Sequence, residues 1–127
     1  VQAAKALSMM YRDNMVVAEE ISEAALKNEP PSAYALVAAA RLSMQKGDFE
    51  STRTQLEKVF DKYPKYAPAW NLLGDIESAE RKPAKAEQAY TKVIELSGNT
   101  FDALLNRAMM RIYRQNYPGA TQDLVQL

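Results

Sequence analysis

Residues 67–100, APAWNLLGDIESAERKPAKAEQAYTKVIELSGNT, form a 34-residue unit that recurs along the chain without an insertion. A period of this length marks stacked helical hairpins, each burying an apolar face against its neighbours. Counting Ala67 as position 1 puts Trp70 at 4, Leu73 at 7, Gly74 at 8, Ala86 at 20, Tyr90 at 24 and Val93 at 27. One period earlier, the same positions hold Leu36, Ala39, Ala40, Thr52, Leu56 and Val59, and Pro64 falls at 32. One period later come Leu104 at 4, Arg107 at 7, Ala108 at 8, Ala120 at 20, Leu124 at 24 and Leu127 at 27. At the start of the chain, Ala6, Ala18, Ala25 and Pro30 continue the register at 8, 20, 27 and 32.

Each position has a physical role. Gly or Ala at 8 and 20 lets paired helices approach closely, because interaxial distance follows side-chain size at the crossing. Bulky residues at 4, 24 and 27 fill the space beside that contact. Pro83 suits the first turn of a second helix, where its missing N–H leaves nothing unpaired. Lys46-Gly47-Asp48 and Arg81-Lys82 make the tight turn inside a unit, and Gly47 is free to take positive φ. Pro30-Pro31 and Pro64 end helices, since proline disfavours helix at the residue before it. Gly98-Asn99 acts as a helix C-cap. The pattern predicts helices near 1–12, 15–28, 33–45, 48–62, 67–80, 83–97, 101–114 and 117–127.

These residues resemble the tetratricopeptide repeat, whose consensus has Trp, Leu, Gly, Tyr, Ala, Phe or Tyr, Ala and Pro at positions 4, 7, 8, 11, 20, 24, 27 and 32. About four tandem units cover the chain: 1–32, 33–66, 67–100 and 101–127. Arg107 in place of Leu, Ser22 at position 24, Thr52 for Ala and Gly98 for Pro depart from the consensus without breaking the register. The resemblance implies an all-α fold, a right-handed superhelical solenoid of antiparallel helix pairs. It implies a single repeat domain over 1–127, read as a piece of a longer array because the chain lacks an initiating Met and a final cap.

Composition narrows the function. Lys plus Arg equals Asp plus Glu at 16 each over 127 residues, and both halves of the chain are balanced. Bulk charge therefore invites neither nucleic acid nor an anionic membrane. The longest apolar run, Tyr34 to Ala40, is far below the roughly 18 residues a membrane span needs, so no direct membrane insertion is expected. No leader pattern is read in the first residues. With no His and no Cys, the chain lacks His- or Cys-based zinc sites and the usual nucleophile–base pairs. It has no phosphate-binding glycine loop. Glu19, Glu20 and Glu23, and likewise Asp75, Glu77 and Glu80, are expected to be the wet faces of amphipathic helices. The chain is read as non-catalytic, with no cofactor and no metal.

In the resembled family, helix A of each unit lines a concave groove through positions 2, 5, 9, 12 and 13. Carried over, these positions make the candidate groove Leu7, Met10 and Tyr11; Tyr34, Val37, Arg41 and Met44; Asn71 and Asp75; and Leu105, Met109, Ile112 and Tyr113. Ser78 and Ala79 fall at 12 and 13 of the third unit. Met and Tyr suit an adaptable protein or peptide surface. The same residues are equally open to being covered by further units, and uncovered repeat ends predict weak self-association. The family's two-carboxylate clamp for chaperone C-termini is missing, because its places hold Ala3, Leu7, Ala38, Pro68 and Leu72, or Val37, Arg41, Leu72, Asp102 and Asn106. Trp70 is read as packing within its own repeat.

Arg107, Arg111 and Arg114 lie along one helix face by their spacing. They make either an anion- or glycan-binding stripe, or stems laid over apolar surface with heads paired to Asp123 or a similar carboxylate. The function implied is a protein–protein interaction scaffold. The alternatives are a structural spacer in a longer solenoid and a glycan/anion-binding module. PAWNLLGD-type units also resemble those of bacterial envelope proteins that assemble secretion or exopolysaccharide machinery, which leans localisation to the periplasm or cell envelope, with the cytoplasm as the alternative.

Overall fold

Local chemistry sets where each helix starts and stops. The computed structural model describes residues 31–127, and the expected helices at 1–12 and 15–28 lie outside them. Six helices follow in order: α1 Ala33–Gln45, α2 Phe49–Lys62, α3 Ala67–Ala79, α4 Pro83–Ser97, α5 Phe101–Tyr113 and α6 Tyr117–Leu124. There is no strand among the described residues. The last helix is shorter than its register predicts. It stops at Leu124 with Val125 as its C-cap, so the expectation of an uncapped helix running to Leu127 is corrected. The chain divides into two compact units at Pro64 and Lys65. The first holds α1 and α2, the second α3 to α6.

The side chains of Ser32, Asp48, Thr100 and Asn116 accept hydrogen bonds from the backbone N–H three residues on, at the starts of α1, α2, α5 and α6. Each satisfies a donor that has no partner inside the helix. Helices α3 and α4 have no such cap and begin instead with Pro68 and Pro83 in the first turn.

The turn inside every pair repeats atom for atom. Gly47 N–H donates to Met44 O at 2.9 Å and Asp48 N–H to Ser43 O at 2.9 Å. Arg81 donates to Ser78 at 3.0 Å and Lys82 to Glu77 at 2.8 Å; Gln115 donates to Ile112 at 2.9 Å and Asn116 to Arg111 at 2.7 Å. This is the Schellman arrangement, which needs a left-handed residue just past the helix. Gly47 supplies it at φ 80°, but Arg81 and Gln115 supply it at φ 61° despite their side chains. The residue closing each turn is also the N-cap of the following helix, so a single turn ends one helix and starts the next. Gly98 ends α4 at φ 85° and ψ −176°, a combination open in practice only to glycine.

In the first unit, Ala35, Val37, Ala38, Ala39, Ala40 and Leu42 of α1 are buried, as are Thr52, Leu56 and Val59 of α2. The buried Thr52 hydroxyl donates back to Asp48 O at 2.8 Å, so it carries no desolvation penalty. Ser43 donates to Gln55 Oε1 at 3.0 Å, and Tyr63 donates its phenol proton to Pro31 O at 3.1 Å.

In the second unit, α4 packs against both α3 and α5, and α6 packs against α5. Helices α3 and α4 approach closely at Gly74: a Cβ built there would lie 2.6 Å from the Tyr90 ring. Tyr90 in turn clusters with Ala86 and with Met110 of α5. Its phenol donates to Asp75 Oδ1 at 2.6 Å. Burial first, then that hydrogen bond and the carboxylate's charge, hold the phenol well above the usual tyrosine pKa, so it stays a donor. The same repeat positions hold Ala40 and Leu56 in the first unit, both buried, and Ala108 and Leu124 at the end of the chain, where Ala108 is buried but Leu124 is exposed. Trp70 is half-buried, with Lys92 Nζ of α4 5.8 Å from its ring centroid. Glu77 corrects the expectation of a wet acidic face, because it is only 3% exposed. The period that buries Gly74 turns Glu77, at the consensus position of a buried Tyr, the same way.

Gly74→Ala is expected to lower stability by about 1–2 kcal/mol, because overpacking against the pinned ring outweighs the roughly 1 kcal/mol that alanine gains in a helix. In a Tyr90→Leu background the same substitution should become neutral or stabilising. Urea melts of the four-member cycle check this, and additive effects would show that the two residues are not in contact. A second expectation concerns pH. The hydrogen bonds from the Ser51 hydroxyl and then its N–H hold Asp48 below the ordinary aspartate value of 3.8. A depressed carboxylate stabilises fully above its unfolded pKa, and that contribution is lost as pH falls through the lower folded value. The protection factor of the Ser51 amide, which removes the intrinsic pH dependence of exchange, should therefore fall in acid in the native chain and stay constant in Asp48→Asn.

Candidate functional site

Helix α5 carries an apolar stripe on its outer face. Met109 and Ile112 are each 44% exposed and Tyr113 is 69% exposed, with Leu105 half-buried one turn earlier. Spacing of three and four residues aligns them. On its opposite face, Ala103, Leu104, Ala108 and Met110 are buried. Helix α5 is thus apolar on both sides, which an ordinary surface helix is not.

Beside that stripe lies an open cleft of about 460 Å³, lined by Ser78, Ala79, Arg81, Pro83, Met110 and Tyr113. The ends of α3 and α5 and the start of α4 form its walls. It brings together Ser78, Ala79 and Tyr113, which share the inner helix-A positions. The sequence marks Arg81 and Pro83 only as a turn residue and a helix start, and gives no sign of Met110 as a site residue. Only the mismatch between Arg81 and its counterpart Gly47 hinted that position 15 holds something other than a turn former.

The other sequence-selected residues fall as follows. Asn71 and Asp75 of α3 are half-buried. The Asp75 carboxylate is engaged by Tyr90, which gives it a structural duty. In the first unit Tyr34 is exposed and Arg41 and Met44 are half-buried on α1. Val37 corrects the groove assignment: it is buried among the core residues of α1 and offers no surface. Leu7, Met10 and Tyr11 lie outside the described residues.

The arginine stripe is turned inward upon two carboxylates. Arg107 meets Asp123 through Nε and Nη2 at 3.0 and 2.6 Å, and its Nη1 donates to Thr91 Oγ1 at 3.4 Å. Arg111 bridges Glu87 through Nε at 3.2 Å and Asp123 through Nη1 at 3.0 Å. It also donates to the Gly119 carbonyl at 3.1 Å. Arg114 donates to Glu87 Oε1 at 2.6 Å. Three guanidiniums share two carboxylates from α4 and α6, so the network ties α4, α5 and α6 together. Of the two sequence readings of the stripe, the geometry follows the paired one. Asp123 and Glu87 already occupy the places an external anion would take at Arg107 and Arg111.

No group of three or more His, Cys, Asp and Glu side chains among the described residues is placed to hold a metal ion. No helix among them is long and apolar enough to cross a membrane.

Residues 67–100 match the family model for the tetratricopeptide repeat. No curated protein matches the chain by sequence. Among solved structures, the chain is similar to PilF of Pseudomonas aeruginosa at 22% identity and a TM-score of 0.82, over 96% of this chain and 56% of that one. It is similar to a tetratricopeptide repeat protein of Parabacteroides merdae at 19% identity and a TM-score of 0.79, over 99% and 50%. It is also similar to IFIT1, solved with Gppp-AAAA, at 18% identity and a TM-score of 0.86, over 99% and 32%. The chain thus spans about half or less of the length of these proteins, and the likeness is one of fold.

Asp123 is 2% exposed at its side chain while Arg107 and Arg111 are 16% and 17% exposed. Asp123→Ala would strand the Arg107 guanidinium and leave Arg111 with Glu87 and the Gly119 carbonyl. It should cost toward the low end of about 3–5 kcal/mol, since the arginines keep some solvent. Hydrogen exchange should show the loss concentrated in α6; protection unchanged there would mean that the pairs contribute nothing.

Proposed function

Residues 67–100 are a tetratricopeptide repeat, and from that premise we propose that the chain is a non-catalytic scaffold that holds a protein or peptide on the exposed faces of its first-of-pair helices. The observation that carries this is the apolar stripe of Met109, Ile112 and Tyr113, which sits beside an open cleft. An exposed contiguous apolar face has a cost in solubility and is kept where something covers it. Tyr and Met give large contact area with adaptable shape, as binding surfaces need. The lack of His and Cys in a chain with balanced charge supports binding over chemistry.

The narrower setting is assembly of secretion or exopolysaccharide machinery in a bacterial envelope. It is supported by the PAWNLLGD unit at residues 68–75. A spacer role within a longer array and an anion-binding module are the competing readings. The inward pairing of Arg107 and Arg111 favours neither glycan nor phosphate there.

A photo-crosslinking residue placed at Tyr113, and a control at the exposed Lys58 of α2, separate these roles in the cells that make the protein. A discrete adduct at 113, absent at 58 and reduced by Met109→Glu, is the expected result. Adducts at neither position would favour the spacer; equal adducts at both would remove the α5 face as the binding surface.

A further inference from the structure

The cleft beside α5 has a definite chemistry. Its floor and walls are Met110, Pro83, Ala79 and the Tyr113 ring, with the Ser78 hydroxyl and one charged group, Arg81. Met110 is buried beneath it and Tyr113 stands out beside it. The Arg81 guanidinium forms no ion pair among the described residues, whereas Arg107, Arg111 and Arg114 all do.

Arg81 is also the side chain that local conformation least favours at its position. It holds the left-handed conformation that Gly47 takes in the preceding turn, at a cost of roughly 1 kcal/mol for a residue with a Cβ. Gln115 takes the same conformation, so strain alone locates nothing. What distinguishes Arg81 is that its side chain lines a cavity. The Schellman bonds to Ser78 and Glu77 fix its backbone, so the cation projects from an anchored turn.

We propose that this cleft binds an acidic peptide segment, with a carboxylate on Arg81 and a neighbouring apolar side chain on Met110 and Tyr113. The proposal rests on the scaffold reading and names its partner's chemistry. A guanidinium fork matches a carboxylate in geometry and charge. A single lining cation balances one carboxylate; a phosphate dianion would bring a second charge with nothing to meet it. The remaining apolar lining suits a side chain such as Leu or Phe beside the acid. The volume lies within the range of about 300–1,000 Å³ usual for ligand clefts. These residues come from the ends of α3 and α5, the turn at Arg81 and the start of α4, away from the positions that form the family's two-carboxylate clamp.

The test uses the whole chain and three fluorescent peptides of one length: alternating Asp and Leu, alternating Asn and Leu, and alternating Lys and Leu. Fluorescence anisotropy is read at low and moderate salt. The Asp peptide should bind best and weaken with salt. Arg81→Gln should cut its affinity about tenfold or more, the effect of losing a charge-assisted hydrogen bond. Gln is tolerated at this turn, since Gln115 stands in the equivalent place, and Arg81→Gly controls for backbone strain by behaving like Arg81→Gln. The inference falls if the Asp and Asn peptides bind alike, if the Lys peptide binds as well, or if Arg81→Gln is without effect. It falls too if no peptide binds up to millimolar concentration, or if a phosphoserine peptide binds better than the Asp peptide. A crosslink at position 113 that persists in Arg81→Gln would leave the scaffold reading standing while removing the acid specificity; loss of that crosslink in the native chain would remove both.

Discussion

The contact between the Tyr90 ring and the bare backbone of Gly74 organises the second half of this protein. A helix can approach an aromatic ring this closely only where its own residue lacks a side chain. The ring is then held from three other sides: by Asp75 at its hydroxyl, and by Ala86 and Met110 along its faces. Because Met110 belongs to the next helix pair, one tyrosine joins α3, α4 and α5. Everything that shapes the cleft follows from it. Fixing Met110 inward turns Met109, Ile112 and Tyr113 of the same helix outward, so the core contact and the exposed stripe are two faces of one packing decision.

Electrostatics adds a second, separate tie. The arginines of α5 turn inward to Glu87 of α4 and Asp123 of α6. Apolar contacts to the short α6 are few, since only Gly119, Ala120 and Asp123 of that helix are buried. Charged bonds there specify where a short helix docks when hydrophobic area alone would not. This explains how Arg107 can stand where the family usually has an apolar residue: its partner is an acid on the next helix, so both depart from the pattern together.

Function in such a chain depends on surfaces that packing leaves over. The turns between paired helices are built identically at Gly47, Arg81 and Gln115, and the side chain at that point is free to vary as long as the left-handed backbone is accepted. One of the three variants, the exposed Arg81, places a cationic residue at the lining of an open cleft. A repeat framework can gain a binding function in this way without disturbing its core.

Much of the architecture was legible in the residues alone. Small groups at positions 8 and 20 and a proline or glycine at 32 recur with a fixed period, and such signals act within a few residues of chain. The starts of α1, α3, α4, α5 and α6 therefore fall where the pattern places them. Burial of Glu77, the inward place of Val37 and the choice between two roles for the arginine stripe were decided only by the tertiary structure. So was the convergence of Arg81, Met110 and Tyr113, drawn from one turn and one helix that periodicity treats separately. The physical reason is range: helix ends and close crossings are set by local sterics and hydrogen bonds, whereas ion pairs and clefts depend on which distant side chains packing happens to bring face to face.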